Sequence, residues 1–327
     1  MRKTLAVIVP VSDFEPLTMI FSSICNITSL NFGEYRPLIV YVIDTNNLEK
    51  ISKIRNFIEN KGLSWAVKII RRSTNRGKRA GAINDALDYV ARFKPKYIAI
   101  FDIDTKPETD FIVKCVNALE KEPKAYIASS RRYILNPKNL VSETVEIEYY
   151  LLNFLIKKLH FKQFNGLIGV LRSDIILKYR LDEAALTEDA DFATRMHAAG
   201  LKAILVDSTK LFEQSPITWR DLLNQRKRWY FGGLQLWKLW KLVKKSKNRK
   251  FIASWILSLS LSYIPIIAMP LIFLAPFILL YKFKKIEKTK ILLGLLIHTI
   301  LLQCAAVLAI YNFIRKKEVE WKPLRRE

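Results

Sequence analysis

The chain has 327 residues, 50% apolar and 26% charged, room for one large domain or two ordinary ones, which excludes a disordered tail and a disulfide-stapled miniature. Three scattered cysteines (Cys25, Cys115, Cys304) and three histidines (His160, His197, His298) have no metal-binding or disulfide-framework spacing, and the odd cysteine count suits a reducing compartment. The net charge of +24 is uneven: residues 238–327 carry 18 basic and 4 acidic side chains, or +14, against +10 for residues 1–237.

Arg2 and Lys3 precede an apolar stretch at 5–11, but Pro10, Asp13 and Glu15 cut it too short for a signal peptide. It reads as the first strand. Short β-branched or aromatic runs follow at 38–43, 67–70, 97–101 and 126–130, with helical stretches near 15–29, 48–60, 79–92 and 109–120. This alternation predicts an α/β fold, a mostly parallel sheet covered by helices on both faces. Such sheets bind ligands at the carboxyl ends of their strands, where Ser12-Asp13, Asp44 and Asp102-Ile103-Asp104 fall. No G-x-G-x-x-G or Walker A sequence is present, so neither a dinucleotide nor the P-loop hold on ATP is indicated.

Two carboxylates one residue apart at a strand end suit Mg²⁺ or Mn²⁺, whose shell is completed by substrate phosphates and water. The same pair would equally cap the turn before Pro107. The basic run from Arg71 to Asn84, with Gly77 and Gly81, is either a phosphate cradle opening a helix or a solvated charged loop. Thr187-Glu188-Asp189 opens a helix ending near Gly200; its acids either supply a general base or only favour the helix dipole. Gln225-Arg226-Lys227-Arg228-Trp229 could grip a diphosphate through Arg228 and offer Trp229 to a sugar ring, or could be a basic membrane-proximal patch.

Residues 231–245 alternate Leu236, Trp237, Trp240 and Val243 with Lys238, Lys241, Lys244 and Lys245, the pattern of a helix lying in the headgroup layer. Residues 251–281 are uncharged but broken by Pro265, Pro270 and Pro276, which reads as a kinked or re-entrant element. As one helix they would reach about 46 Å, more than one crossing and less than two. Residues 291–314 read as a plain span. The flanking basic excess points to an anionic membrane face rather than nucleic acid, which would ask for basic stripes interleaved with stacking aromatics. The loop 282–290 and the tail from Arg315 are both basic, so charge does not settle orientation if 291–314 crosses once.

In this order, Pro10, Asp44, Lys78 with Ala80-Gly81-Ala82-Ile83-Asn84, Asp102-x-Asp104, Thr187-Glu188-Asp189 and Gln225-x-x-Arg228-Trp229 resemble family 2 glycosyltransferases. The likeness covers about residues 4–240 and is to the membrane-bound branch with cellulose, chitin and hyaluronan synthases and ceramide glucosyltransferase. It implies a GT-A fold and inverting transfer from a nucleotide diphosphate sugar, usually of UDP, with Mg²⁺ or Mn²⁺. By carry-over, Asp189 is the catalytic base and Asp104 the metal ligand. Pro10, Asp44, Lys78, Asp102, Gln225, Arg228 and Trp229 serve the donor, and Gly166, Glu188 and Trp229 the acceptor. The segment Phe164 to Arg172 matches the acceptor-side segment. Three departures stand out: Ile43-Asp44-Thr45 ends the second strand in place of a D-D/G-S run, Ser12-Asp13 replaces N-E after Pro10, and no spans precede the catalytic part.

The expected order along the chain is a cytoplasmic catalytic domain at 1–230, an interfacial helix and basic linker at 231–250, a membrane region at 251–314 and a basic tail at 315–327. The partners implied are a nucleotide sugar, a glycan or lipid acceptor and the lipid bilayer of the cell membrane, with no nucleic acid and a homo-oligomer left open. Transfer to a polyprenyl phosphate and a non-catalytic membrane scaffold are the alternatives; Asp189 and Trp229 favour a hydroxyl acceptor.

Overall fold

The computed structural model describes residues 3–268, 290–317 and 319, which form two compact units. The first comprises Met1–Arg132, Lys162–Glu213 and Lys245–Lys247; the second comprises Tyr133–Phe161, Gln214–Lys244 and Asn248–Glu327.

The first unit is built on an eight-stranded sheet: β1 (Thr4–Val11), β2 (Arg36–Asp44), β3 (Val67–Arg72), β4 (Tyr97–Ile100), β5 (Lys106–Pro107), β6 (Ala125–Ile134), β7 (Gly169–Arg172) and β8 (Lys202–Glu213), in the order β3-β2-β1-β4-β7-β6-β8-β5. Its helices are α1 (Leu17–Thr28), α2 (Leu48–Asn60), α3 (Lys78–Ala91), α4 (Phe111–Lys121), α6 (Ser173–Tyr179) and α7 (Glu188–Ala198), while α5 (Leu140–Lys158) belongs to the second unit. Leu5 to Val9 are wholly buried, a near-continuous apolar run that needs cover on both faces. The two-residue alternation sends Leu5, Val7, Val9 and Val11 into a core with Ile20, Ile24 and Ile27 of α1 and Ile51, Ile54 and Ile58 of α2. On β1 and β2 also packs α3, burying Ile83, Ala86, Leu87 and Val90.

The sheet is mixed, which corrects the mostly parallel expectation. The β3-β2-β1-β4 half is parallel, while β7 runs antiparallel to both β4 and β6, and β5 antiparallel to β8. Within the antiparallel part, the run at 126–130 is β6, while β7 and β8 carry a weak sequence signal. Only four residues long, β7 is too short to show a period, and β8 breaks its apolar pattern with exposed Lys202, Asp207, Ser208 and Lys210.

The second unit is helical, with α5, α8 (Trp219–Gln235), α9 (Trp240–Val243), α10 (Arg249–Leu261) and α11 (Lys290–Ile314). Ile134, Val141, Val145, Tyr149 and Leu222 form its core, with Trp219 and Leu301 against it. A Cβ on Gly294 would lie 2.2 Å from Thr144 Oγ1, so glycine is what lets α11 approach α5 this closely. The single helix expected over 231–245 is instead divided: α8 ends at Gln235, a 3₁₀ turn takes Leu236–Leu239, and α9 follows. Trp237 and Trp240 pack their rings on the buried Trp255 of α10, at 5.1 and 6.3 Å between centroids. Both rings remain partly exposed, at 38% and 37%, so each has a protein partner on one side and a surface open to the surroundings on the other. Among the described residues one helix, Lys290–Ile314, is long and apolar enough to cross a membrane, with a mean hydropathy of 2.4 over its most apolar stretch. Of the apolar run 251–281, α10 and the turn Pro265–Ala268 are seen; the remainder, the loop up to 289 and the tail from 320 lie outside the described residues.

Candidate active site

The carboxyl ends of the parallel strands gather the expected acids. Pro10 lies next to the end of the β1–β2 pairing, opposite Val42. Beyond β1, Asp13 accepts a hydrogen bond from Thr45 Oγ1, and Lys50 Nζ donates to the Asp13 and Glu15 carbonyls at 2.6 and 2.9 Å, tying the first two strand ends together. Asp44 closes β2 and lies 3.3 Å from Arg72 Nε, which is also 3.0 Å from Asp85. Burial pushes the Asp44 carboxyl up to about 6 against the pull of Arg72, and Asp85 adds to the rise.

Between β3 and α3 the basic loop turns through Gly77, in the left-handed region at φ 63°. Lys78 begins α3 exposed to solvent, whereas Arg79 turns inward. Arg79 donates from Nε to Asp102 at 2.9 Å, from NH1 to Glu188 at 2.7 Å and from NH2 to the Gly166 carbonyl at 2.6 Å. Burial disfavours its charge, but Asp102 and Glu188 outweigh that and hold its pKa above the ordinary value. A planar fork with fixed donor directions can join two carboxylates and a carbonyl in this way; an ammonium cannot match it.

Gly166 is the hinge of the cluster. Its N–H donates to Asp189 Oδ2 at 2.5 Å, while its carbonyl accepts from Arg79. At φ 65°, with a Cβ that would meet Arg79 NH2 and Asp102 Oδ2 at 3.0 Å each, the position demands glycine. Asp189, in the first turn of α7, also accepts from the Ala190 N–H at 2.8 Å. Its neighbour Glu188 is buried, and burial raises its pKa; Asp189 adds to the rise and Arg79 opposes it. The two acids of one helical turn therefore differ: Glu188 is locked to Arg79, and Asp189 is set by two backbone N–H groups.

The turn Asp102-Ile103-Asp104 follows β4, with both carboxylates half-buried between the buried Phe101, Ile103 and Thr105. Hard oxygen donors of this kind fit Mg²⁺ or Mn²⁺. Among the described residues no group of three or more His, Cys, Asp and Glu converges, so the rest of such an ion's shell would come from substrate oxygens and water.

The structure thus brings Asp102, Gly166, Glu188 and Asp189 together and adds Arg79, which sequence reasoning missed in favour of Lys78. The signal available was chemical: two acidic motifs needed a forked cation, and Arg79 is the arginine opening the helix. Gln225, Arg228 and Trp229 lie on α8 in the second unit. There the buried Arg226 donates to Gln225 Oε1 at 2.9 Å and lies 4.1 Å over the Trp229 ring.

Two family models match the chain: one described as glycosyl transferase family 2 over residues 8–175, the other as glycosyl transferase family group 2 over residues 97–313. Among curated relatives, probable glucomannan 4-beta-mannosyltransferase 7 of Oryza sativa subsp. japonica is 28% identical over 213 residues, covering 62% of this chain and 36% of its own length. Probable glucomannan 4-beta-mannosyltransferase 11 of the same plant is 26% identical over 271 residues, with 76% and 45% covered. The chain therefore spans less than half the length of these relatives. The solved structure of the mannosyltransferase PcManGT from Pyrobaculum calidifontis, in complex with GDP-Man and Mn²⁺, superposes with a TM-score of 0.68 at 18% identity, covering 97% of this chain and 89% of that one. That likeness gives the mixed α/β fold of the GT-A type.

Proposed function

The chain belongs to glycosyl transferase family 2, and from that premise we propose that it transfers a sugar from a nucleoside diphosphate to a hydroxyl of a glycan or lipid acceptor, with inversion. Mannose carried on GDP is the first donor to test, supported by the mannosyltransferase relatives and by the GDP-Man in the neighbouring structure. One observation carries the reading. Gly166 bonds Asp189 through its N–H and, through its carbonyl, the Arg79 that grips Asp102. A carboxylate suited to take a proton and an acidic turn suited to a diphosphate are thereby set around one residue.

Asp189 takes the proton of the acceptor hydroxyl while that oxygen attacks the anomeric carbon opposite the leaving diphosphate; a single displacement inverts configuration. A Mg²⁺ or Mn²⁺ held by Asp104 would supply the neutralisation that a diphosphate leaving group needs. Pro10, Asp44, Lys78, Asp102, Gln225, Arg228 and Trp229 are assigned to the donor. Gly166, Glu188 and Trp229 serve the acceptor. With α11 as membrane anchor, the basic residues at 238–250 lie against anionic headgroups and the catalytic part is cytoplasmic.

The test uses the full-length protein in detergent with Mn²⁺, offering GDP-mannose, UDP-glucose and UDP-N-acetylglucosamine with β-1,4-linked manno-oligosaccharides. Release of GDP and a product of inverted anomeric configuration by NMR are expected. No nucleotide release from any donor would leave a non-catalytic scaffold, and transfer confined to a polyprenyl phosphate would replace the hydroxyl acceptor.

A further inference from the structure

Inside the second unit, three helices meet at one carboxylate oxygen. Glu148 Oε2 of α5 accepts from Arg226 NH2 of α8 at 2.5 Å and lies 3.2 Å from His298 Nε2 of α11. All three side chains are enclosed, with 15%, 3% and 6% of their surfaces exposed. Burial alone would raise the Glu148 carboxyl, yet Arg226 and His298 hold it down to about 2, so it stays ionised.

A buried ion pair is a poor source of stability, because desolvation offsets most of its attraction; packed apolar side chains would serve as well. What the pair does supply is direction. Arg226, fixed by Glu148, spends its NH1 on Gln225 Oε1 and its flat face on the Trp229 ring. Two side chains of the Gln225-x-x-Arg228-Trp229 segment are therefore set by an arginine that is itself set from α5 and, through Glu148, from the apolar helix α11.

We infer that Glu148 is a positioning residue for sugar transfer: held by His298, it fixes Arg226 and through it the Trp229 ring. The inference rests on the proposal that this segment serves the donor and acceptor. A misplacement of about 1 Å in a positioning group costs roughly 10²-fold in rate. Glu148→Gln in the full-length protein should thus lower kcat about 10–10²-fold.

Single-turnover transfer from GDP-mannose, which reads small residual rates, is measured for Glu148→Gln, Trp229→Ala and the double variant. If Glu148 acts through Trp229, the double variant is no slower than Trp229→Ala alone. Multiplying losses, or an unchanged Glu148→Gln, would overturn the inference while leaving the segment's role intact. An unchanged Trp229→Ala would instead remove that role and the inference with it. Should Glu148→Gln not fold, His298→Leu decides by the same cycle: a loss absent in the Trp229→Ala background supports it, and no loss or a multiplying one refutes it.

Discussion

Replacing Asp189 by asparagine keeps the shape of the side chain but not its hydrogen-bonding pattern. Oδ2 accepts from the Gly166 N–H and Oδ1 from the Ala190 N–H. An asparagine has one acceptor oxygen, so one of those N–H groups must face an NH₂. A donor left unsatisfied costs about 1–3 kcal/mol, which predicts a thermal midpoint lowered by several degrees. Loss of the proton acceptor acts separately, on the transition state. General-base catalysis contributes about 10²–10⁴, so kcat should fall by that factor, or about 3–5 kcal/mol of barrier.

The two effects separate in one experiment: single-turnover transfer from GDP-mannose at a temperature where circular dichroism reads both proteins as folded, beside GDP affinity by calorimetry. Glu188→Gln is the control. A glutamine still offers Arg79 an acceptor, so less than about tenfold should be lost. Transfer by Asp189→Asn within about tenfold of the parent would refute the base. Equal losses in both variants would leave the acids a shared structural role.

Gly166→Ala, strained at φ 65° and set against Arg79 and Asp102, should destabilise by about 1–3 kcal/mol and slow transfer; calorimetry and kinetics check it. For Asp44, a carboxyl raised from 3.8 to about 6 in the folded protein contributes stability below pH 3.8 that is lost as pH rises through about 6. Solvent screening at this half-buried carboxyl reduces the corresponding stability below about 3 kcal/mol, and denaturant midpoints at pH 4 and 7 should diverge less in Asp44→Asn than in the parent. Asp104→Ala should abolish transfer; full activity in that variant, or in excess EDTA, would remove the metal assignment.

The parallel half of the sheet was legible because its central strands β1 and β4 are buried on both faces and each helix between carries a 3.6-residue stripe. In the antiparallel half β6 showed its apolar run, but β7 did not: it owes its place to pairing with β4 and β6, a non-local fact with no local pattern. At the site, the acidic motifs were visible in order along the chain, but Arg79 was not. Lys78 and Arg79 are adjacent cations, and the turn at Gly77 decides which of them points inward. The same limit applies to Trp237 and Trp240. Their spacing beside lysines fits a headgroup layer, and only the placement of Trp255 reveals that their rings have a protein partner.

The charge balance at Gly166 makes a last prediction. Arg79 is shared between Asp102 and Glu188 at 2.7 Å from each, so its charge is already committed when a donor arrives. A diphosphate brings about two negative charges toward Asp102. At an effective dielectric of about 20 a pair of like charges some 4 Å apart costs about 4 kcal/mol, as much as binding a sugar nucleotide at millimolar affinity provides. Donor and metal should therefore bind together: each raises the other's affinity by the same factor, because coupling is reciprocal. Titrating Mn²⁺ by electron paramagnetic resonance with and without GDP, and GDP by calorimetry with and without Mn²⁺, measures both sides. The expected factor is at least tenfold, equal in the two experiments. It should shrink in Asp104→Ala, where the metal has lost its carboxylate. Independent binding of GDP and Mn²⁺ would mean that the site neutralises the diphosphate with side chains alone.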